Sequence, residues 1–137
     1  MFNFDLNWIN VSATVLDKIF NPKKPPKSIK IATYTLNDTG ILALTELHNS
    51  GIHVECVCGN YLAAPHTNEL LFRVYQNRKN HAKLFILDNN AWVGSTNLVS
   101  DTMINILTKL TKTQTEQAKL LFTQIKNNTI ESETVIL

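Results

Sequence analysis

Residues 81–97 hold the chemistry-bearing positions of the chain: His81, Lys83 and Asp88, then Gly94, Ser95 and Asn97, in the pattern H-x-K-x4-D followed by G-S-x-N. Each of these residue types can handle a phosphodiester. A neutral imidazole nitrogen can attack phosphorus and form a covalent intermediate, splitting one hard displacement into two easier ones. Lys83 brings a compact positive charge with three donors, and Ser95 and Asn97 add neutral donors. Together they can stabilise charge on the non-bridging oxygens in the transition state. The alkoxide leaving group needs a proton from a group with a pKa near neutrality, and a second histidine fits that task.

These side chains must be brought to one small volume. The run HAKLFILD, residues 81–88, is apolar and flanked by turn-prone residues, and reads as a buried strand. Alternation along a strand then puts His81 and Lys83 on one face. A turn at Asn89-Asn90 leads into the next strand, from Trp92, with Ser95 and Asn97 sharing a face. Asp88 lies an odd number of positions from His81, so alternation sends it to the opposite face.

The pattern resembles the phospholipase D superfamily, and more closely its small, single-motif nuclease branch. Six fixed residues recur by accident in so short a chain with a chance on the order of one in a million, which makes the resemblance specific. It implies a metal-independent phosphodiesterase, here a largely non-specific endonuclease on nucleic acid, with DNA favoured over RNA by family habit. It implies no cofactor and no metal. Lipid-cleaving members carry two motifs in a longer chain; this chain has one. Single-motif members pair two copies, so the resemblance implies a homodimer with both His81 residues at the shared site, one as nucleophile and one as acid. A two-fold interface is compatible with that, because it places identical groups close to the axis. Gly94 and Asp88 take supporting roles, Asp88 as a structural aspartate. Small nucleases of this family carry a glutamate shortly after G-S-x-N. Here residues 98–102 are LVSDT, with no glutamate until Glu116. Asp101 can stand in from a slightly different position, or His81 goes without that support.

The rest of the chain is ordinary globular sequence: 137 residues, 44% hydrophobic, net charge +2, with no repeat or composition break. One domain spanning 1–137 is expected. The start, MFNFDLNWIN, lacks a signal-peptide pattern, and no segment reaches the length of a membrane span. A cytoplasmic protein making no membrane contact is the expectation. Cys56 and Cys58 are two apart on a predicted strand, poor geometry for a disulfide, and match no zinc pattern; buried free thiols are expected.

The element order predicts an α/β fold: a mixed, mainly parallel sheet flanked by helices in an α-β-α sandwich. A first helix is expected over 11–20, ended by Asn21-Pro22. Strands are expected over 28–36, 52–58, 70–75, 81–88, from Trp92, and over 103–107. Helices are expected over 40–48, capped by 37–39 and closed by Asn49-Ser50-Gly51, and over 113–127.

Arg73, Arg78 and Lys79 lie just before His81, where basic side chains would steer a polyanion and contact phosphates beside the scissile bond. Lys23, Lys24, Lys27 and Lys30 cluster earlier, and an ordinary solvated surface explains them equally well. Tyr75 and Trp92 can stack bases, though aromatics beside a strand are more often core. His48 and His53 read as ordinary helix-end and strand residues, and His66 as a loop residue. Two other functions fit the same residues. One is a nucleic-acid-binding or assembly module that keeps the phosphate pocket without turnover. The other is a lipid phosphodiesterase, which the lack of a membrane-binding apolar segment disfavours.

Overall fold

The run SIKIATYTL is rich in β-branched residues and forms β1 over Ser28–Leu36, the range its sequence predicts. Helix α1, Asp38–Asn49, follows, and β2, His53–Tyr61, returns parallel to β1 with Ser28 opposite His53. The stop between them is a Schellman turn. Gly51 has φ +96°, its N–H donates to the His48 carbonyl, and the Ile52 N–H reaches back to Leu47. Ile52 and Leu47 are both buried in the same apolar cluster, the contact that usually accompanies this motif.

A computed structural model describes residues 24–36, 38–61, 74–95, 98 and 107–128. The helix expected over 11–20 and the loop carrying His66 lie outside them, as do Lys23, residues 70–73 and residues 103–106. Beyond β2 come β3, Val74–Gln76, β4, Leu84–Leu87, β5, Asn90–Gly94, and β6, Leu107–Lys109. Helix α2, Lys112–Asn127, closes the order with a complete capping box, Thr111 and Gln114 satisfying each other's backbone N–H.

The strands form one sheet in the order β3-β2-β1-β4-β5-β6. The sheet is mixed, as expected, but it is not mainly parallel. Among the described residues β1–β2 and β2–β3 run parallel, whereas β1–β4, β4–β5 and β5–β6 are antiparallel. The β1-α1-β2 unit forces its own two strands parallel; β4 to β6 instead follow one another as a meander joined on the sheet's other side.

Each face of the sheet carries its own core. Phe85 and Leu87 of β4 pack with Ile29, Ile31 and Cys56 against Leu44 and Leu47 of α1. The alternate residues Leu84 and Ile86 pack with Ala32 and Val57 against Ala118 and Phe122 of α2. All four β4 residues are therefore buried, which is why this strand reads as a continuous apolar run rather than an alternating one. Cys56 and Cys58 are free and buried. Burial pushes both thiols up, Cys58 to about 12, so neither is a thiolate nucleophile at neutral pH.

Candidate active site

The segment entering β4 is held by amide side chains rather than by a strand ladder. Asn77 donates from its backbone to the Cys58 carbonyl and from its side chain to the Ile125 carbonyl of α2, at 2.9 and 3.1 Å. Its own carboxamide and carbonyl oxygens then accept from Lys79 and Asn80, closing a turn. Asn80 is buried, at 5% exposure. Its Nδ2 donates to the Thr33 carbonyl (3.2 Å) and the Ala82 carbonyl (3.4 Å), and its Oδ1 accepts from the Ala82 N–H (3.0 Å). Ala82, between His81 and Lys83, thus has both backbone groups satisfied by one side chain. β4 accordingly begins at Leu84, not at His81 as the apolar run suggested.

His81 and Lys83 nevertheless converge, through a residue the sequence did not flag. The exposed imidazole stacks on Tyr34 of β1 with ring centroids 4.2 Å apart and planes 16° apart. Lys83 Nζ lies 5.6 Å from the centroid of the same ring. Gly94, at the end of β5, donates its N–H to the Lys83 carbonyl at 3.3 Å, so Ser95 follows immediately beside the His81–Lys83 segment. Buried Thr33 links the two halves of the motif: its carbonyl holds Asn80, and its Oγ1 accepts from the Leu98 N–H at 3.0 Å. Asn97 and Asp101 lie outside the described residues, as does Arg73.

Asp88 sits at the far end of β4, in the turn to β5, with φ +52°. Its Oδ1 accepts from the backbone N–H groups of Lys27 and Ser28 at 2.9 and 3.1 Å, and its own N–H donates to the Ser28 carbonyl. The carboxylate therefore ties the start of β1 to the hairpin. Arg78 and Lys79 occupy the exposed turn immediately before Asn80. Trp92 is core, 4% exposed and covered by Lys109, and half-buried Tyr75 packs in the α2-side core under Lys126. His48 lies in the last turn of α1, and exposed His53 pairs with Glu55 at 3.1 Å. Among the described residues no cluster of three or more His, Cys, Asp or Glu side chains could hold a metal ion.

His81 and Lys83 border an open groove of about 610 Å³ between β5 and α2, lined further by Val93, Leu110, Gln114 and Leu121. Its floor is apolar and its motif end is polar. Tyr34, Thr33, Gly59 and Asn80 escaped the sequence reading. Asn80 alone left a usable signal, a turn-forming residue set directly before the motif.

No family model matches the sequence, and no curated protein sequence does. Solved structures do. Nuc from Salmonella typhimurium, a phospholipase D family member, superposes with a TM-score of 0.63 at 16% identity, over 92% of this chain and 90% of that one. The chain has the phospholipase D fold. NucT from Helicobacter pylori matches equally well, at 0.63 and 14% identity over 94% and 95% of the two chains. The phospholipase D fold found here also matches a polyphosphate kinase from Porphyromonas gingivalis, at 0.60 and 14% identity over 87% of this chain but 22% of that one. A shared fold does not choose among such reactions, so the function rests on the side chains around His81. Among the described residues no helix is long and apolar enough to cross a membrane.

Proposed function

We propose that the chain is a metal-independent phosphodiesterase that cleaves nucleic acid, DNA in preference to RNA, as an endonuclease of low sequence specificity. The observation that carries this reading is the meeting of His81 and Lys83 over one ring, beside Ser95, at the open end of a groove. An imidazole and an ammonium set against one ring offer an anionic phosphodiester a nucleophile and a charge to receive it. Arg78 and Lys79, exposed in the adjoining turn, would contact the flanking phosphates, with Arg73 further along the chain.

In the first step a ring nitrogen of His81 bonds to phosphorus as the bond to the leaving oxygen breaks. That oxygen takes a proton from the His81 of a second copy, since the motif occurs once per chain. In the second step a water oxygen bonds to phosphorus, the nitrogen–phosphorus bond breaks, and the water proton returns to the second histidine. Lys83, Ser95 and Asn97 stabilise charge on the non-bridging oxygens. Gly94 supports the site by its backbone bond to Lys83, and Asp88 supports the strand from its other end.

The test is incubation of purified protein with single- and double-stranded DNA and RNA in EDTA, with His81→Ala alongside. Wild type should cleave, and His81→Ala should fall to background while keeping its fold and its oligomeric state. Cleavage that stops with chelator and returns with a divalent metal would overturn the mechanism. A second reading, a binding module without turnover, is favoured by one observation. Glu116, the first glutamate after G-S-x-N, pairs with Lys119, which also bonds Asn89 in the Asp88 turn. Asp101 is then the remaining candidate to support His81. Salt-sensitive binding with no cleavage at any pH would decide for that module.

A further inference from the structure

We propose that Tyr34 is the positioning residue of the site, a fixed plate that holds the His81 imidazole in plane while leaving its nitrogens open. The inference rests on the phosphodiesterase reading for its consequence, but on geometry alone for its content. His81 lies outside the strand, in a segment whose backbone is locked by Asn80 while its own side chain is exposed. Backbone locking does not fix χ1 and χ2, and an exposed imidazole samples several rotamers. Among the described residues none hydrogen-bonds the ring, and the contact it makes is the stack on Tyr34 at 4.2 Å and 16°.

A stack suits a nucleophilic histidine for a specific reason. The nitrogen lone pair that attacks phosphorus lies in the ring plane, as does the N–H on the other nitrogen. A hydrogen bond would orient the ring at the cost of occupying one of these edges. Contact with the ring face orients it and occupies neither. When nitrogen bonds to phosphorus the imidazole becomes cationic, and the electron-rich face of a phenol ring attracts a cation held over it. Lys83, 5.6 Å from the same centroid, is set against the same plate, so one ring relates nucleophile to charge.

The plate is itself braced. A Cβ added at Gly59 of β2 would lie 2.8 Å from one Tyr34 ring carbon, 3.3 Å from the next and 2.2 Å from the Asn80 carbonyl oxygen. Tyr34 and the Asn80 segment thus both rest on the space that glycine leaves, and the ring that carries His81 shares a seat with the backbone that precedes it.

The test compares Tyr34→Ala, Tyr34→Leu and Tyr34→Phe on bis(4-nitrophenyl) phosphate, with NMR of His81 on the same proteins. Tyr34→Ala and Tyr34→Leu should lower kcat by about 100-fold, the scale of a displaced reacting group, with KM nearly unchanged. Tyr34→Phe should restore wild-type kcat, since the ring and not the hydroxyl carries the role. The ring-current upfield shift of the His81 carbon-bound protons should be present in wild type and Tyr34→Phe and lost in the other two. Full kcat in the folded Leu variant, or equal losses in Phe and Ala, would overturn the proposal. If wild type cleaves nothing, the phosphodiesterase reading fails by itself. The ring-current shift still decides the stack, and its absence from wild type would overturn it.

Discussion

The two ends of β4 are built by opposite means, although one short motif supplies both. At the Asp88 end a carboxylate accepts two backbone N–H groups and the chain turns through a left-handed residue. Both hydrogen bonds that the side chain makes go to backbone N–H groups at the start of β1, so it ties one strand to another. At the His81 end the backbone is satisfied by a neighbour's amide, and the side chain is held by its face. Its bonding edges remain available. The difference separates architecture from chemistry within a single sequence pattern: a motif residue is fit for reaction when another residue does its structural work.

This contrast can be broken from either end. The largest effect is expected from Gly59→Ala, which touches only the His81 end. The new methyl meets a backbone oxygen that cannot swing aside, so the Asn80 segment or Tyr34 must shift. Overpacking of this kind costs about 1–3 kcal/mol. Turnover on a small diester should fall by about 100-fold through the misplaced imidazole. Melting curves and initial rates check both figures, and full turnover from a folded Gly59→Ala protein would break the contrast.

The complementary change is Asp88→Ala. It removes both acceptor bonds to β1 and places alanine at φ +52°, a conformation that L-residues other than asparagine and aspartate resist. Together these should cost about 2 kcal/mol of stability in denaturant titration. Asp88→Asn keeps an acceptor oxygen and tolerance of that φ, so it should lie within about 0.5 kcal/mol of wild type. Well below the melting temperature both variants should turn over substrate at the wild-type rate. A large fall in kcat for Asp88→Asn would give the aspartate a part in the chemistry.

Where the sequence was legible, local pattern and tertiary packing agreed. β1 falls over the predicted 28–36, and α2 starts one residue before the predicted 113 because Thr111 and Gln114 cap it. The fold class followed from that order of elements. The strand expected over 81–88 is shorter, beginning at Leu84, since a buried amide from Asn80 bonds both backbone groups of Ala82. The parallel share of the sheet is smaller than the element order suggests, for a related reason. A helix between two strands announces parallel pairing, whereas nothing local tells β4 to join β1 antiparallel. Tyr34 was invisible because its partner lies far along the chain, and an aromatic within a strand reads as core. The residues that could do chemistry were readable by type; the ones that aim them were not.

The smallest expected effect concerns α2, which both ends of β4 share: Asn77 holds the Ile125 carbonyl and Lys119 holds Asn89. Lys126 bonds Glu55 of β2 at 2.5 Å, close to where Asn77 meets the helix. Partial burial alone would raise the Glu55 carboxyl. Hydrogen bonds from Lys126 and His53, with the charges of Lys126 and Lys30, outweigh that and hold it below its ordinary value. Lys126 is raised in turn, chiefly by its bond to Glu55. A depressed carboxyl contributes stability that is present above its unfolded pKa and is lost as pH falls through the folded one. A raised lysine contributes stability that is present below about 10.5 and is lost as pH climbs past its folded value. The stability difference between wild type and Lys126→Met should therefore be flat from about pH 6 to 9 and shrink below about pH 4. Solvent reaches both groups, so the plateau should stay under about 1 kcal/mol. Denaturant titration across that range is the measurement, with turnover followed in parallel. A Lys126→Met protein that loses kcat while keeping its stability would show the clamp acting on the Asn77 turn, and through it on the His81 end alone.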